Sequence, residues 1–375
     1  MQLRVAVCAT VIFLIYVQSA SGNIDTVYGH IGVSATYYFG KHIKHNQRIT
    51  PELKGITHAY EISVFKQTDG RKAWMRKLRH PEIGGALHIT QNVNIDTFGW
   101  AIGAMGTVQF WLWRTRPFDL FVRLGSGVAF FTHYYDKEKN PNNNVIGSSP
   151  NVIAQFKIGG NIKPLPWLHI ALFSAFTHHS NGALRPPNLG INVVSGGLSV
   201  RYFPAHHAIA LKKGNIPKEA RPNEIMARYG LGWVQAWYEG PMMPVHFVTL
   251  AYARYTSIVN KVLGGLAFEY STAKQYFWAG YPTATDKMRR TYPMNLSFFA
   301  GDELMVNRVS MLWAIGVYVY RPEPTRDKVY FRGGANYYPY DLGKQKNIRP
   351  FVGAHLKTHQ AVAETIEFVA GICIR

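Results

Sequence analysis

The chain has 375 residues, with 41 Lys and Arg against 21 Asp and Glu, for a formal net charge of +20. Aromatic residues make up 14% and charged residues only 17%, a balance unlike that of a soluble exported protein. After the N-terminal segment no apolar run reaches the roughly 18 residues of a membrane-spanning helix. Helical spans are thereby excluded, and a transmembrane β-barrel is expected, in which alternating strands and aromatic girdles replace continuous apolar runs.

The chain begins "MQLRVAVCATVIFLIYVQSASGNI". Arg4 provides a positive n-region, Val5 to Val17 an apolar core, and Ala20, Ser21 and Gly22 a small-residue cleavage site. Residues 1–22 read as a secretory signal peptide, leaving 23–375 as the exported chain. Cys8 falls inside that segment without the context of a lipoprotein site, and Cys373 is the one cysteine left. An internal disulfide and a cysteine-based metal site are both excluded on that reading. For an exported chain, the +20 charge points to phosphorylated lipid rather than nucleic acid. The densest basic run is "RKAWMRKLRH" (71–80), whose Trp74 suits an interfacial position.

Strand-like segments of period two follow along the chain. "LFVRLGSGVAFF" (120–131) comes first, then the turn residues "NPNNN" (140–144) and the segment "WLHIALFSAFTHHS" (167–180). In the last, Leu168, Ile170, Leu172, Ser174, Phe176, His178 and Ser180 share one face, and His179 points the other way. After the turn "RPPN" (185–188), "INVVSGGLSVRYF" (191–203) puts Asn192, Val194, Gly196, Leu198, Val200 and Tyr202 on its apolar face. Ser195, Ser199 and Arg201 form the opposite face, expected to line the barrel interior. The interval 204–223 is the least strand-like, a long loop or a boundary between two smaller barrels.

Strand patterning resumes with "FVTLAYARY" (247–255) and "KVLGGLAFEY" (261–270), then "MLWAIGVYVY" (311–320), the turn "RPEP" (321–324) and "VYFRGGANYY" (329–338). The pattern predicts an all-β, antiparallel transmembrane barrel of roughly 14 to 16 strands. The alternative is an eight-stranded barrel followed by a second β domain; a soluble β-sandwich or lipid carrier is a more distant one. His178, Ser180 and Asn192 would then lie on the outer, lipid-facing wall, at the strand ends near the membrane interface. An imidazole can take the proton of a hydroxyl while a third polar group fixes its tautomer. The same residue types also cap strands with no chemistry at all. No cofactor or metal motif is visible; His133, His169, His355 and His359 lack ligand-like spacing.

The stretch "THHSNGALRPPNLGIN" (177–192) resembles the active-site signature of the lipid A 3-O-deacylase (PagL-like), or acyloxyacyl hydrolase, outer-membrane family: His-x-Ser-Asn, then a Pro-Asn-x-Gly turn. The likeness is strongest over 177–203 and weaker over 135–151 and 355–368, in the manner of the family's longer members. It implies a barrel that hydrolyses an ester-linked acyl chain of lipid A in lipopolysaccharide, with Ser180 as nucleophile, His178 as general base and Asn181 supplying an oxyanion contact. Arg185, on the signature turn, is placed to meet a phosphate of that substrate. One departure stands out: the short members carry glutamate twelve residues after the serine, where this chain has Asn192. An amide can orient imidazole but cannot stabilise imidazolium with a full charge, so Asn192 is either an adapted orienter or the mark of a slow enzyme. The rival function is a non-catalytic barrel, a porin, transporter or surface-binding protein, because 14 or so strands can enclose an aqueous pore.

Overall fold

The computed structural model describes residues 26–205, 208–214, 222–235, 240–323, 327–340, 347–359 and 362–375. The expected signal peptide lies outside the described residues. A short β1 (Thr26–Tyr28) precedes β2 (Ile31–His42), β3 (Thr57–Gln67), β4 (Glu82–Gln91), β5 (Trp100–Arg114), β6 (Phe118–Phe131), β7 (Pro150–Leu165), β8 (Leu168–Ser180) and β9 (Ile191–Tyr202). The brief β10 (Ala208–Ala210) pairs with β1. Then follow β11 (Asn223–Gln235), β12 (Met242–Ser257), β13 (Asn260–Ser271), β14 (Met294–Val306), β15 (Val309–Tyr320), β16 (Val329–Tyr337), β17 (Ile348–His359) and β18 (Val362–Ile374).

Strands β2 to β9 close into one antiparallel barrel and β11 to β18 into another. The chain accordingly divides into two compact units, one built on each. The all-β antiparallel class holds, and the barrel strands number sixteen. They do not form the single large barrel of the leading expectation; the alternative, an eight-stranded barrel followed by a second β domain, is what closes. The reason is non-local: β9 returns to pair with β2, from Val33 opposite Tyr202 to His42 opposite Val193. The first ring is therefore complete before the interval 204–223, of which 206–207 and 215–221 lie outside the described residues.

The size argument for a pore lapses with the single barrel. Eight strands leave room inside only for side chains, and both interiors are packed with charged groups. In the first, Glu61 accepts from Arg123 Nη1 at 2.7 Å and from Tyr38 Oη at 2.7 Å, with Lys157 Nζ at 3.5 Å. Arg201 Nη2 bridges to Glu82 at 2.6 Å. In the second, Lys261 Nζ lies 2.9 Å from Glu303, and Arg332 Nη2 donates to Glu367 at 2.9 Å. The outward positions of the same strands carry exposed Ile62, Leu172, Leu250 and Phe298. Apolar outside and polar inside is the alternation of a membrane-spanning barrel.

The basic run 71–80 departs from expectation. It forms the single-turn α1 (Ala73–Lys77) in the β3–β4 connection, at the barrel end opposite the β8–β9 turn. Trp74 is only 3% exposed, so it is packed into the protein rather than presented to an interface. Arg71 is paired with Asp69 at 2.6 Å, and Arg76 Nη1 donates to Gly70 O at 2.5 Å.

Because Glu61 is the carboxylate shared by two buried cations, Glu61→Leu should destabilise the first barrel by roughly 3–5 kcal/mol, the cost of leaving a buried charge unmatched. Adding Arg123→Met should recover part of the loss. Denaturant unfolding in detergent measures both; a Glu61→Leu protein as stable as wild type would contradict the assignment.

Candidate active site

Four connections lie at one end of the first barrel: β2–β3, β4–β5, β6–β7 and β8–β9. Their apolar residues form a cluster of Ile49, Phe98, Phe131, Val145, Ile146 and Ile191, with Leu189 of the β8–β9 turn packed against it. That turn is further pinned by Gly190 N donating to Val145 O at 3.1 Å and His45 Nε2 meeting Leu189 O at 2.9 Å. A Gly/Pro-rich segment is thus held in one shape above the last residues of β8 and the first of β9.

The register places His178 directly opposite Asn192. Both are outward-facing by alternation, and His178 Nδ1 lies 2.5 Å from Asn192 Oδ1. With the amide oxygen accepting, Nδ1 carries the ring proton and Nε2 is left as the basic nitrogen. Ser180, two residues on, belongs to the same face. It is nevertheless only 5% exposed, and Asn192 only 7%, because the turn folds back over the strand ends. His179 points inward as expected and stacks edge-on against Phe131, ring centroids 5.2 Å apart.

Two turn residues that the sequence pattern left without roles complete the site. Asn188 Nδ2 donates to Ser180 Oγ at 2.9 Å, and Asn188 Oδ1 accepts from the backbone N–H of Asn181 at 3.1 Å. Gly190 has φ +74°, and a Cβ built on it would stand 3.1 Å from His178 Cε1 and 3.7 Å from Ser180 Cβ. The imidazole and the hydroxyl therefore flank a position that only glycine fills. Both residues lie in "PPNLG", already marked as a turn; what was invisible is that the turn folds inward over Ser180. The Asn181 side chain turns away, donating to Ser148 Oγ at 3.1 Å, so its backbone N–H is the group on the serine side. Arg185 is exposed on the turn. Among the described residues no group of three or more His, Cys, Asp or Glu is arranged to hold a metal ion.

A hydroxyl, an oriented imidazole and amide donors on the outside of an apolar barrel wall define a barrel with a polar site at its membrane-facing surface. Comparison with known proteins gives the family. The model of the lipid A 3-O-deacylase (PagL) family matches residues 58–201, and that of the acyloxyacyl hydrolase C-terminal domain matches residues 223–375. The chain belongs to this lipid A deacylase family, the first match running from β3 into β9 and the second spanning the second barrel.

Among solved structures, the outer membrane enzyme PagL is 18% identical with a TM-score of 0.33, covering 45% of this chain and 98% of its own. Neisserial surface protein A is 10% identical with a TM-score of 0.31, covering 46% of this chain and 96% of its own. An Rh. blastica porin mutant aligns over 92% of this chain and 99% of its own, at 10% identity and a TM-score of 0.19. No curated protein sequence matches.

Gly190→Ala should press a methyl group onto the His178 ring and strain a left-handed backbone position. The lipid A deacylation rate should fall on the order of 10²-fold if the His178 ring serves as a general base, while the barrel stays folded by circular dichroism. An unchanged rate would show that the ring position is not needed.

Proposed function

We propose that the chain is a serine esterase of the bacterial outer membrane that removes an ester-linked acyl chain from lipid A. Ser180 is the nucleophile, His178 the general base and Asn192 the group that orients it. The observation that carries this reading is the bond of 2.5 Å from His178 Nδ1 to Asn192 Oδ1 on the outward face. With Asn192 Oδ1 accepting, Nε2 is the nitrogen left to take a proton, and Ser180 lies two residues along on the same face.

The chemistry follows in two steps. Ser180 Oγ attacks the ester carbonyl as its proton passes to His178 Nε2. The negative charge on the carbonyl oxygen is met by the second N–H of Asn188 Nδ2 and by the backbone N–H of Asn181 once it leaves Asn188 Oδ1, which gives Asn181 its oxyanion role through the main chain. Collapse of this intermediate breaks the ester C–O bond. The proton held by His178 goes to the departing sugar hydroxyl, leaving the acyl group on Ser180. Water then attacks the acyl-enzyme, His178 takes its proton and returns it to Ser180 Oγ, and the fatty acid leaves. His178 and Ser180 lie on the outward face of β8, so the acyl chain need not leave the bilayer to be cleaved. Arg185, exposed on the turn above, meets a phosphate of the lipid A headgroup. No cofactor is required.

Mass spectrometry of lipid A from cells with and without the protein tests the function. Loss of one acyl chain is expected with the wild type and none with Ser180→Ala; unchanged acylation in cells holding a folded barrel would refute it. Asn192→Ala should lower kcat on the order of 10²-fold through loss of imidazole orientation. Asn192→Glu should match or exceed wild type, since a carboxylate also stabilises the imidazolium. Full activity in Asn192→Ala would assign the orienting role elsewhere. Arg185→Glu should slow turnover of phosphorylated lipid A more than that of a neutral ester, and equal losses would remove Arg185 from the substrate site.

A further inference from the structure

The second barrel carries its largest departure from the strand pattern between β13 and β14. After α1 and the short α2 (Ile95–Phe98) of the first barrel, the chain there forms two more helices, α3 (Thr272–Gly280) and α4 (Asp286–Thr291), found in no other connection of the second barrel among the described residues. Each helix is N-capped by a hydroxyl, Ser271 accepting from Lys274 N and Thr285 from Met288 N, both at 3.3 Å. The hairpin is also tied to its own barrel. Thr272 Oγ1 donates to Pro244 O at 2.7 Å, Lys274 pairs with Glu323, and Trp278 Nε1 donates to Glu323 at 3.4 Å. It is a built element, and where it closes, Ser271 N donates to Pro293 O at 3.0 Å.

Its free surface is unusual for a solvated loop. Tyr276, Phe277 and Tyr281 are 55%, 48% and 42% exposed, large rings turned outward together. Phe277 and Tyr281 have ring centroids 5.6 Å apart, and Trp278 stands 5.2 Å from each of them. On α4, Lys287, Arg289 and Arg290 are exposed as well. Between residues 272 and 293 the sole acidic residue is Asp286, 3.8 Å from Arg289. The hairpin emerges where Tyr270 pairs with Met294, just past the outward apolar row of Val262, Leu266 and Phe268 on β13 and Phe298 on β14. Aromatic rings beside the end of an apolar band, with cations next to them, are what the boundary between acyl chains and charged headgroups favours.

We infer that the α3–α4 hairpin is a docking element for phosphorylated lipid headgroups: the rings of Tyr276, Phe277 and Tyr281 rest at the acyl boundary while Lys287, Arg289 and Arg290 engage phosphate. The occupant is an anionic lipid, because a free phosphate would make no use of the exposed rings. The inference takes its setting, a membrane rich in lipid A, from the proposed function but uses none of the Ser180 chemistry. It gives the second barrel a task of its own, holding the substrate class at the protein's surface.

The test uses the full chain carrying Ser180→Ala, in nonionic detergent, titrated with bisphosphorylated lipid A and with the same lipid freed of phosphate. Native mass spectrometry counts bound lipid. Lys287→Gln/Arg289→Gln/Arg290→Gln should weaken binding of the phosphorylated lipid roughly fivefold per cation removed and leave the phosphate-free lipid unaffected. Phe277→Ser/Tyr281→Ser should weaken both lipids alike. Salt titration of the parent chain needs no surface variant: on raising the salt from 0.1 M to 1 M, where screening shortens to roughly 3 Å, its preference for the phosphorylated lipid should shrink. If the triple variant fails to fold by circular dichroism, Arg290→Gln alone serves. Equal binding of phosphorylated lipid by parent and variant, equal losses on both lipids, or a soluble polyphosphate competing as well as the lipid would each overturn the assignment. Loss of acyl mass from the lipid during the titration would instead count against Ser180, so the two readings fail separately.

Discussion

Closure at eight strands is the constraint on which the rest depends. Inside a bilayer each backbone N–H and C=O must find its partner within the protein, and a sheet achieves this only by closing on itself. A ring of eight has an interior wide enough for side chains and nothing more. The inward faces therefore become a packed core, but a charged one: Glu61 with Arg123 and Lys157 in the first barrel, Lys261 with Glu303 in the second. Such a core excludes a substrate as large as a lipid. A closed eight-stranded wall leaves its outer surface as the place where a lipid can be met, and there the His178 and Asn192 pair is found.

That placement was legible from sequence to the extent that it depended on local period. Alternation along β8 and β9 sorts His178, Ser180 and Asn192 to the apolar face and His179 to the other, and the register agrees residue by residue. The faces of β13 alternate in the same way, with Val262, Leu266 and Phe268 outward and Lys261, Leu263 and Glu269 inward. Period does not encode which distant strand a given strand will meet. The return of β9 to β2 is a pairing across more than 150 residues (Tyr202 with Val33, for example), and no pattern within either strand announces it. One ring of sixteen and two of eight look alike until that pairing is seen.

The turns were the second blind spot. Gly, Pro and Asn mark the stretch after Ser180 as a turn, and the reading stops there, since composition does not say which way a turn folds. Here it folds back onto the strand ends, held by Leu189 in the apolar cluster and by Gly190 bonded to Val145. This folding brings Asn188 to Ser180 and covers two polar side chains that alternation alone would leave facing lipid. Trp74 misled for a related reason: a tryptophan among lysines and arginines suits an interface, but a loop closing a barrel end also needs a large apolar side chain, and tertiary packing chose the second use.

The same covering accounts for an amide at position 192. Asn192 is 7% exposed on an apolar wall, so a carboxylate there would be a nearly buried charge until His178 became an imidazolium. Burying an unpaired carboxylate is costly, and without a cation it takes up a proton instead. An amide that accepts from Nδ1 through its oxygen needs no counter-charge. What it gives up is the full charge opposite the imidazolium at the transition state. On the proposed mechanism, the choice between the two side chains is thus a choice between an uncharged resting site and a better-stabilised reacting one.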